Sequence, residues 1–255
     1  MKRMRTLCLT GLLWMMTCIL YAQNQLITYT VPSDGVELKD DFTVRVRQSG
    51  SGWKEVVTYP MKVDEVRQTK HHVELASMGY FDFSGQVEVS VTYNKGEVKS
   101  GRVRPLSYGI TPQISGSTMT FTLDRPRNLS IEVNGDIFHN LHLFANPIDK
   151  FRPSDKEIQR ALKKKKGSNL IYFGPGVHNL PNDTLFVPSG TTVYIDGGAR
   201  VYGNIFTEGA HDVNIFGRGE VHPDGRGAGV WVRRSKNVRI DGIVVSQLPI
   251  GQCDS

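Results

Sequence analysis

Cysteine is scarce in this 255-residue chain, and where the three cysteines fall makes it scarcer. Cys8 and Cys18 sit within the first 22 residues, which read as an export signal. Lys2, Arg3 and Arg5 form its positive end, Leu7 to Tyr21 is a nearly unbroken apolar run, and Ala22 before Gln23 is the expected cleavage point. Cleavage leaves Cys253 alone. That excludes an intrachain disulfide, so stability must come from burial or from partners. A membrane span is lacking as well, because the apolar run falls short of the roughly 20 residues that cross a bilayer comfortably. The small residue usual three positions before cleavage is also missing, since Leu20 stands there. A lipid anchor on Cys18 is the alternative, though Met15-Met16-Thr17 matches such a site poorly. The mature chain is expected to be periplasmic, cell-surface or secreted.

A strong charge of one sign is absent too. The chain has 31 basic and 25 acidic residues, and cleavage at Ala22 removes three basic ones, leaving 28 − 25 = +3. A surplus that small gives no argument for nucleic-acid binding. His71-His72 and the pair His139 and His142 lie in alternating, strand-like text with no third ligand nearby, so neither a metal nor a cofactor is expected. The 255 − 22 = 233 mature residues suffice for one large domain or two small ones.

What the chain does have is strand text. Asp41 to Gln48, Gln86 to Tyr93, Thr118 to Asp124 and Leu129 to Gly135 alternate apolar with polar residues, and Asn94-Lys95-Gly96 and Asn134-Gly135 separate such runs. Period two implies one buried and one solvated face, and several short strands at this spacing predict a β-sandwich over residues 23–150. The pattern then changes at "RPSDKEIQRALKKKKGSN". Ser154 and Glu157 fit a capping box, Ile158, Ala161 and Leu162 share a helical face, and Gly167 is the expected C-cap. Lysines 163 to 166 would sit at the negative end of the helix dipole. Such a run also invites a polyanion; complementarity to the helix end explains it as well.

After Gly167 a repeat begins. Val193, Ile195 and Gly197 recur as Val213, Ile215 and Gly217, then as Val238, Ile240 and Gly242, at intervals of 20 and 25 residues. Repeats of this length, each with a short β-branched strand and a glycine, mark a solenoid. The leucine and asparagine ladder of leucine-rich repeats is missing. A right-handed parallel β-helix fits, with alternate residues inward and Tyr194, Asp196, Asn214, Arg239 and Asp241 outward. The expected fold is therefore all-β: a sandwich, a short capping helix, and the first rungs of a β-helix over residues 151–255.

"EVNGDIFHNLHLFANP", "NLIYFGPGVHNL" and "FGRGEVHPDGRG" resemble segments of secreted polygalacturonase-like enzymes of glycoside hydrolase family 28. The sandwich-plus-helix layout is also similar to the dextranase family. The resemblance implies that Ser154 to Lys166 plugs the first coil. It further implies inverting hydrolysis of an α-glycosidic bond by one protonated and one ionised carboxyl, about 6.5–9.5 Å apart. The motifs that carry that chemistry, Asn-Thr-Asp, Asp-Asp, Gly-His-Gly and Arg-Ile-Lys, are absent from their places. Asp40-Asp41 reads as a solvated turn before a strand, Asn182-Asp183-Thr184 has the letters out of order, and Arg239-Ile240-Asp241 lacks the lysine. The catalytic residues are expected beyond Ser255, and Asp254 reads as a solvated terminal acid.

His222, Asp224 and Arg226 are the candidate substrate-binding residues. They lie where a rung swells from 20 to 25 residues, and bulging loops wall sugar sites. An ordinary Gly-rich turn accounts for the same text. From Leu170 to Ser255 there is room for about four rungs, a stub of roughly 20 Å whose far end is an open strand edge. The expectation is an N-terminal portion of a polysaccharide hydrolase, inactive by itself, with polygalacturonan as the polymer. A polysaccharide lyase or another glycosidase on this fold, and a non-catalytic carbohydrate-binding or adhesion protein, are the competing readings.

Overall fold

The structure is a computed structural model that describes residues 24–30, 38–67, 70–164, 167–223 and 228–246. Its first part holds β1 (Gln25–Thr28), β2 (Phe42–Arg47), β3 (Lys54–Val56), β4 (Thr58–Arg67), β5 (Lys70–Ser84) and β6 (Val87–Tyr93). These are followed by β7 (Gly101–Arg104), β8 (Gln113–Ser115), β9 (Thr118–Leu123), β10 (Arg127–Val133) and β11 (Asp136–Pro147). One sheet runs β1-β5-β11-β10-β7, with β4 also on β5, and the other runs β3-β2-β6-β9-β8. Pairing is antiparallel except between β5 and β11, which run parallel. The alternating text behaves as period two requires. Val44 and Val46 of β2, Val87, Val89 and Val91 of β6, and Met119 of β9 are all fully buried, in one cluster between the sheets. Each such side chain contributes about 1.5–3 kcal/mol when removed from water. Asn134 and Gly135, at φ 55° and 82°, close the β10–β11 hairpin with the double left-handed turn that suits strand twist.

β5 departs from the alternating rule because it is buried on both faces. Phe81 and Phe83 enter the sandwich core, whereas Met78 and Tyr80 join a separate cluster with Tyr59 on the other side of the sheet. Tyr80 and Phe81, neighbours in the chain, are thus divided between two cores, because a second layer covers this sheet.

That layer is the solenoid. The helix α1 (Asp155–Leu162) precedes it, capped as the sequence predicts: Glu157 donates its amide to Ser154 Oγ, and Ser154 donates its own to Glu157 Oε2 at 2.9 Å. α1 ends earlier than expected. Lys163 is its C-cap and Lys164 already takes a left-handed position at φ 47°, three residues before Gly167 at φ 85°. Only Ile158 is buried and Leu162 is largely exposed, so beyond the first two turns no apolar packing supports further helix.

Next come β12 (Leu170–Phe173), β13 (Gly176–Phe186), β14 (Thr192–Ile195), β15 (Ala199–Glu208), β16 (His211–Gly217), β17 (Glu220–His222), β18 (Val230–Arg233), β19 (Lys236–Asp241) and β20 (Val244–Val245). They stack in parallel as β12-β14-β16-β19 and β13-β15-β17-β20, with β18 also on β15. The sandwich, helix and parallel β-helix are those read from the sequence.

The register corrects one detail. Ile171, Val193, Ile215 and Ile240 stand in line, so Val193 lies beside Ile215 and not beside Val213. A two-residue slip leaves every side chain on its face. Val193, Ile195, Val213 and Ile215 are fully buried, as the inward set requires, whereas Ile240 in the last rung is 45% exposed. Gly217 consequently sits beside Ile195, at φ 132°, where a Cβ would collide with the Ile195 backbone. Tyr194 points away from the solenoid core yet is 1% exposed, because the segment before α1 covers it and its hydroxyl donates to Asp149 Oδ2 at 2.7 Å.

Candidate functional site

The sequence places the candidate residues at a rung expansion, and the register locates it. Tyr202 pairs with His222 at a separation of 20 residues, whereas Ile205 pairs with Val230 at 25. Five extra residues are therefore accommodated between His222 and Val230. Asp224 and Arg226 lie outside the described residues. His222 is described, at the end of β17, and it is 3% exposed. It turns toward the sandwich.

The seam between solenoid and sandwich is built from outward residues of β15 and β17 facing β4, β5 and β11. Glu220, 2% exposed, is its centre: Arg200 Nη2 donates to Glu220 Oε2 at 2.8 Å, and His222 Nε2 lies 2.8 Å from the same oxygen. The Arg200 guanidinium also lies 5.2 Å from the centre of the Tyr59 ring, and the His222 ring packs 5.3 Å from Tyr202. Arg200 Nη1 and Glu220 Oε1 have no partner among the described residues. Burial, with Tyr80 and the charge of Glu220 adding to it, pushes the Tyr59 hydroxyl well above its ordinary pKa, so it stays a neutral donor. The imidazole is thus held by a carboxylate on one side. Ser246 Oγ is 3.5 Å from both ring nitrogens.

A second buried pair fixes the seam further along. Arg218 Nε donates to Asp82 Oδ1 and Oδ2 at 2.9 and 3.0 Å, and its Nη2 donates to the Pro147 carbonyl at 2.9 Å. Burial raises the Asp82 carboxyl above its ordinary range even with the guanidinium against it. The Gly197-Gly198 pair lets the chain before β2 approach, since a Cβ on Gly197 would enter the Tyr29 ring and one on Gly198 would meet the Thr30 carbonyl.

Where the seam opens, a cleft of about 530 Å³ is lined by Met61, Lys62, Met78, Phe144, Val244 and Ser246, with Pro223 and Ala228 at its rim. Pro223 and Ala228 are the described residues on either side of the rung expansion. Its walls are mainly apolar, with the ammonium of Lys62 and the hydroxyl of Ser246 as polar points. That is the composition of a site that grips a ring by its faces and orients it by a few polar contacts. The polar seam behind it was not legible in sequence. Glu220 and Arg200 are separated by 20 residues, one rung, and only the parallel register brings them together.

The other sequence fragments have structural places. Asp40 is exposed beside Lys95 at 3.0 Å; Asp41, expected to be solvated, is 8% exposed and pairs with Lys39 at 2.8 Å. Asn182 and Asp183 occupy left-handed positions inside β13, where the pairing offset falls from 23 to 20 residues and the strand bulges. Asp241 pairs with Arg239 at 3.3 Å. His139 bridges Asp136 at 2.9 Å and Glu74 at 3.0 Å, and hydrogen bonding to Asp136 raises its pKa. His142 has its pKa lowered by burial. No group of three or more His, Cys, Asp or Glu that could hold a metal occurs among the described residues. No helix among them is long and apolar enough to cross a membrane.

No known family profile matches this chain, and no curated protein matches it. Among solved structures, Dex49A from Penicillium minioluteum superposes with a TM-score of 0.52 at 15% identity, over 87% of this chain and 56% of that one. The chain thus spans little more than half the length of that structure. At this identity the likeness is one of architecture, a β-helix fold, and it does not reach the polygalacturonase-like branch in particular.

Proposed function

We propose that this chain forms the front part of an exported glycoside hydrolase that cleaves α-glycosidic bonds in a polysaccharide, with polygalacturonan as the polymer. The observation that carries this reading is the combination of the parallel β-helix with a rung expanded by five residues beside an apolar-walled cleft. The fold neighbour, a dextranase, supports the glycosidase class. Within this reading Asp224 and Arg226 contact substrate from the rim, and His222, locked to Glu220, positions the loop's first turn. The carboxylate motifs of that chemistry are absent from their places in these 255 residues, so in this reading the chain alone does not hydrolyse glycan. The first 22 residues direct export.

The test is release of reducing ends from polygalacturonan, dextran and a wider glycan panel, by this chain and by the longer gene product that continues it. Hydrolysis of polygalacturonan by the longer product only is the expected result. Cleavage of dextran alone would overturn the substrate. Retention on a glycan without hydrolysis by the longer product would replace the enzyme with a binding protein. The mature protein should begin at Gln23 on N-terminal sequencing.

A further inference from the structure

Lys164, in the lysine run after α1, is not used by the seam, and it lies near a second hollow. On the face of the solenoid away from the cleft, a separate hollow of about 430 Å³ lies between α1, the chain at 151–153 and the first stacked sheet. Its floor is the ring pair Phe151–Phe216, stacked 4.4 Å apart, with the Arg239 guanidinium 4.4 Å from the Phe151 centre. Arg152 and Arg160 stand in its wall, together with Asn169. Among the described residues Glu157 is the carboxylate lining it, and Ser154 already occupies that carboxylate through its amide and hydroxyl; Arg152 is paired with Asp155 at 3.3 Å and Asp196 at 3.7 Å. Arg160, by contrast, has no ion-pair or hydrogen-bond partner among the described residues. A second hollow of about 460 Å³ shares Ser168 and Leu170 with the first and is lined by Lys164. The two therefore abut as one trough around the end of α1.

We infer that this trough is a secondary binding site for a carboxylate-bearing sugar chain. A uronate ring offers a carboxylate that suits the bidentate fork of Arg160, and hydroxyls that suit Asn169 and Thr192 in the wall. The next ring along lies toward Lys164. The site is distinct from the seam cleft, holds polymer without cleaving it, and rests on the proposed reading only in the acidic nature of the glycan.

Isothermal titration of the whole chain with trigalacturonate, maltotriose and a polyglutamate peptide tests it, on the wild type and on Arg160→Gln, Arg152→Gln and Lys62→Gln. Thermal melts confirm that each variant folds. Trigalacturonate should bind and maltotriose should not, and Arg160→Gln should weaken binding about tenfold or more, the loss expected for one charge-assisted contact. Lys62→Gln, in the seam cleft, should leave it unchanged. Equal binding of polyglutamate would reduce the trough to a charged surface and overturn the site. So would binding that Lys62→Gln abolishes and Arg160→Gln spares, although that outcome would leave the proposed function standing. Absence of trigalacturonate binding would overturn the site while hydrolysis by the longer product decides the function separately.

Discussion

Arg218→Met is the most informative perturbation of the seam. Arg218 and Asp82 side chains are 7% and 0% exposed, and the guanidinium spans solenoid and sandwich by bonding Asp82, the Gly217 carbonyl at 3.2 Å and the Pro147 carbonyl. Methionine keeps much of the volume but removes every one of these bonds, leaving a buried carboxylate with the Tyr29 hydroxyl as a neutral donor and no cation. Breaking such a pair from one side costs about 3–5 kcal/mol. The cost must depend on pH. Burial already lifts the Asp82 carboxyl above its usual range with Arg218 present, so without it the folded-state pKa rises further. An acid whose folded pKa lies above its unfolded value destabilises the fold above that folded pKa. The penalty disappears as pH falls below the unfolded value near 3.9. Urea unfolding of the variant should therefore show a large loss at pH 7 that shrinks toward pH 5, relative to wild type at each pH. The double variant Arg218→Met with Asp82→Leu should recover most of the loss at pH 7, because two apolar groups need no partners. Equal losses at both pH values, or two single losses that simply add in the double variant, would refute the account of a desolvated pair.

Three further outcomes follow from the same geometry. Gly217→Ala should reduce soluble yield and lower the urea midpoint: φ of 132° and the Ile195 backbone leave no room for a Cβ, and the strained position alone costs about 1–3 kcal/mol. Residues 24–150 expressed alone should bind a hydrophobic dye and melt without a cooperative transition, since Tyr59, Met78 and Tyr80 lose the layer that covers them; a dye-silent, cooperative sandwich would contradict the seam. His139 should titrate above 6.5 in an NMR experiment. Its contribution to stability is full below that value and lost as pH rises through the raised one. The half-exposed position limits it to under about 1 kcal/mol, and His139→Gln should remove the pH dependence.

The parts of the fold legible in sequence are those set by local period. Alternation identified β2, β6, β9 and β10, the Ser154–Glu157 box placed the start of α1, and the Val-x-Ile spacing separated inward from outward residues in the solenoid. The repeat misaligned one rung by two positions for a physical reason: parity determines which face is buried, whereas register depends on backbone pairing across rungs, which the letters do not encode. Phe173 and Gly217 both flank Ile195, so Gly217 lies beside Ile195 and not beside Gly197. The seam was illegible because its members come from distant segments. Asp82 and Arg218 are 136 residues apart, and in a single sequence Asp82 reads as the polar side of an alternating strand. The rung expansion was visible as a length difference, 20 against 25, but length alone does not say which way the expanded loop faces.

What the sandwich adds to the solenoid is a wall. A bare solenoid presents its loops to solvent on every side, and none is a cleft by itself. Here one sheet of the sandwich is buried on both faces, pinned to the solenoid by Arg218 at one point and by Arg200 against Tyr59 at another, so it stands as a fixed wall opposite β17 and β20. The cleft lies between that wall and β20, with Pro223 and Ala228 lining it. Glu220 holds His222 by its Nε2, next to Pro223. A Glu220→Gln variant should therefore disturb the rim at Pro223 while leaving the core valines Val201 and Val221 in place. Amide exchange would show this as faster protection loss at residues 222–230 than in β15, and uniform loss through β15 would instead make Glu220 an ordinary support of the whole seam.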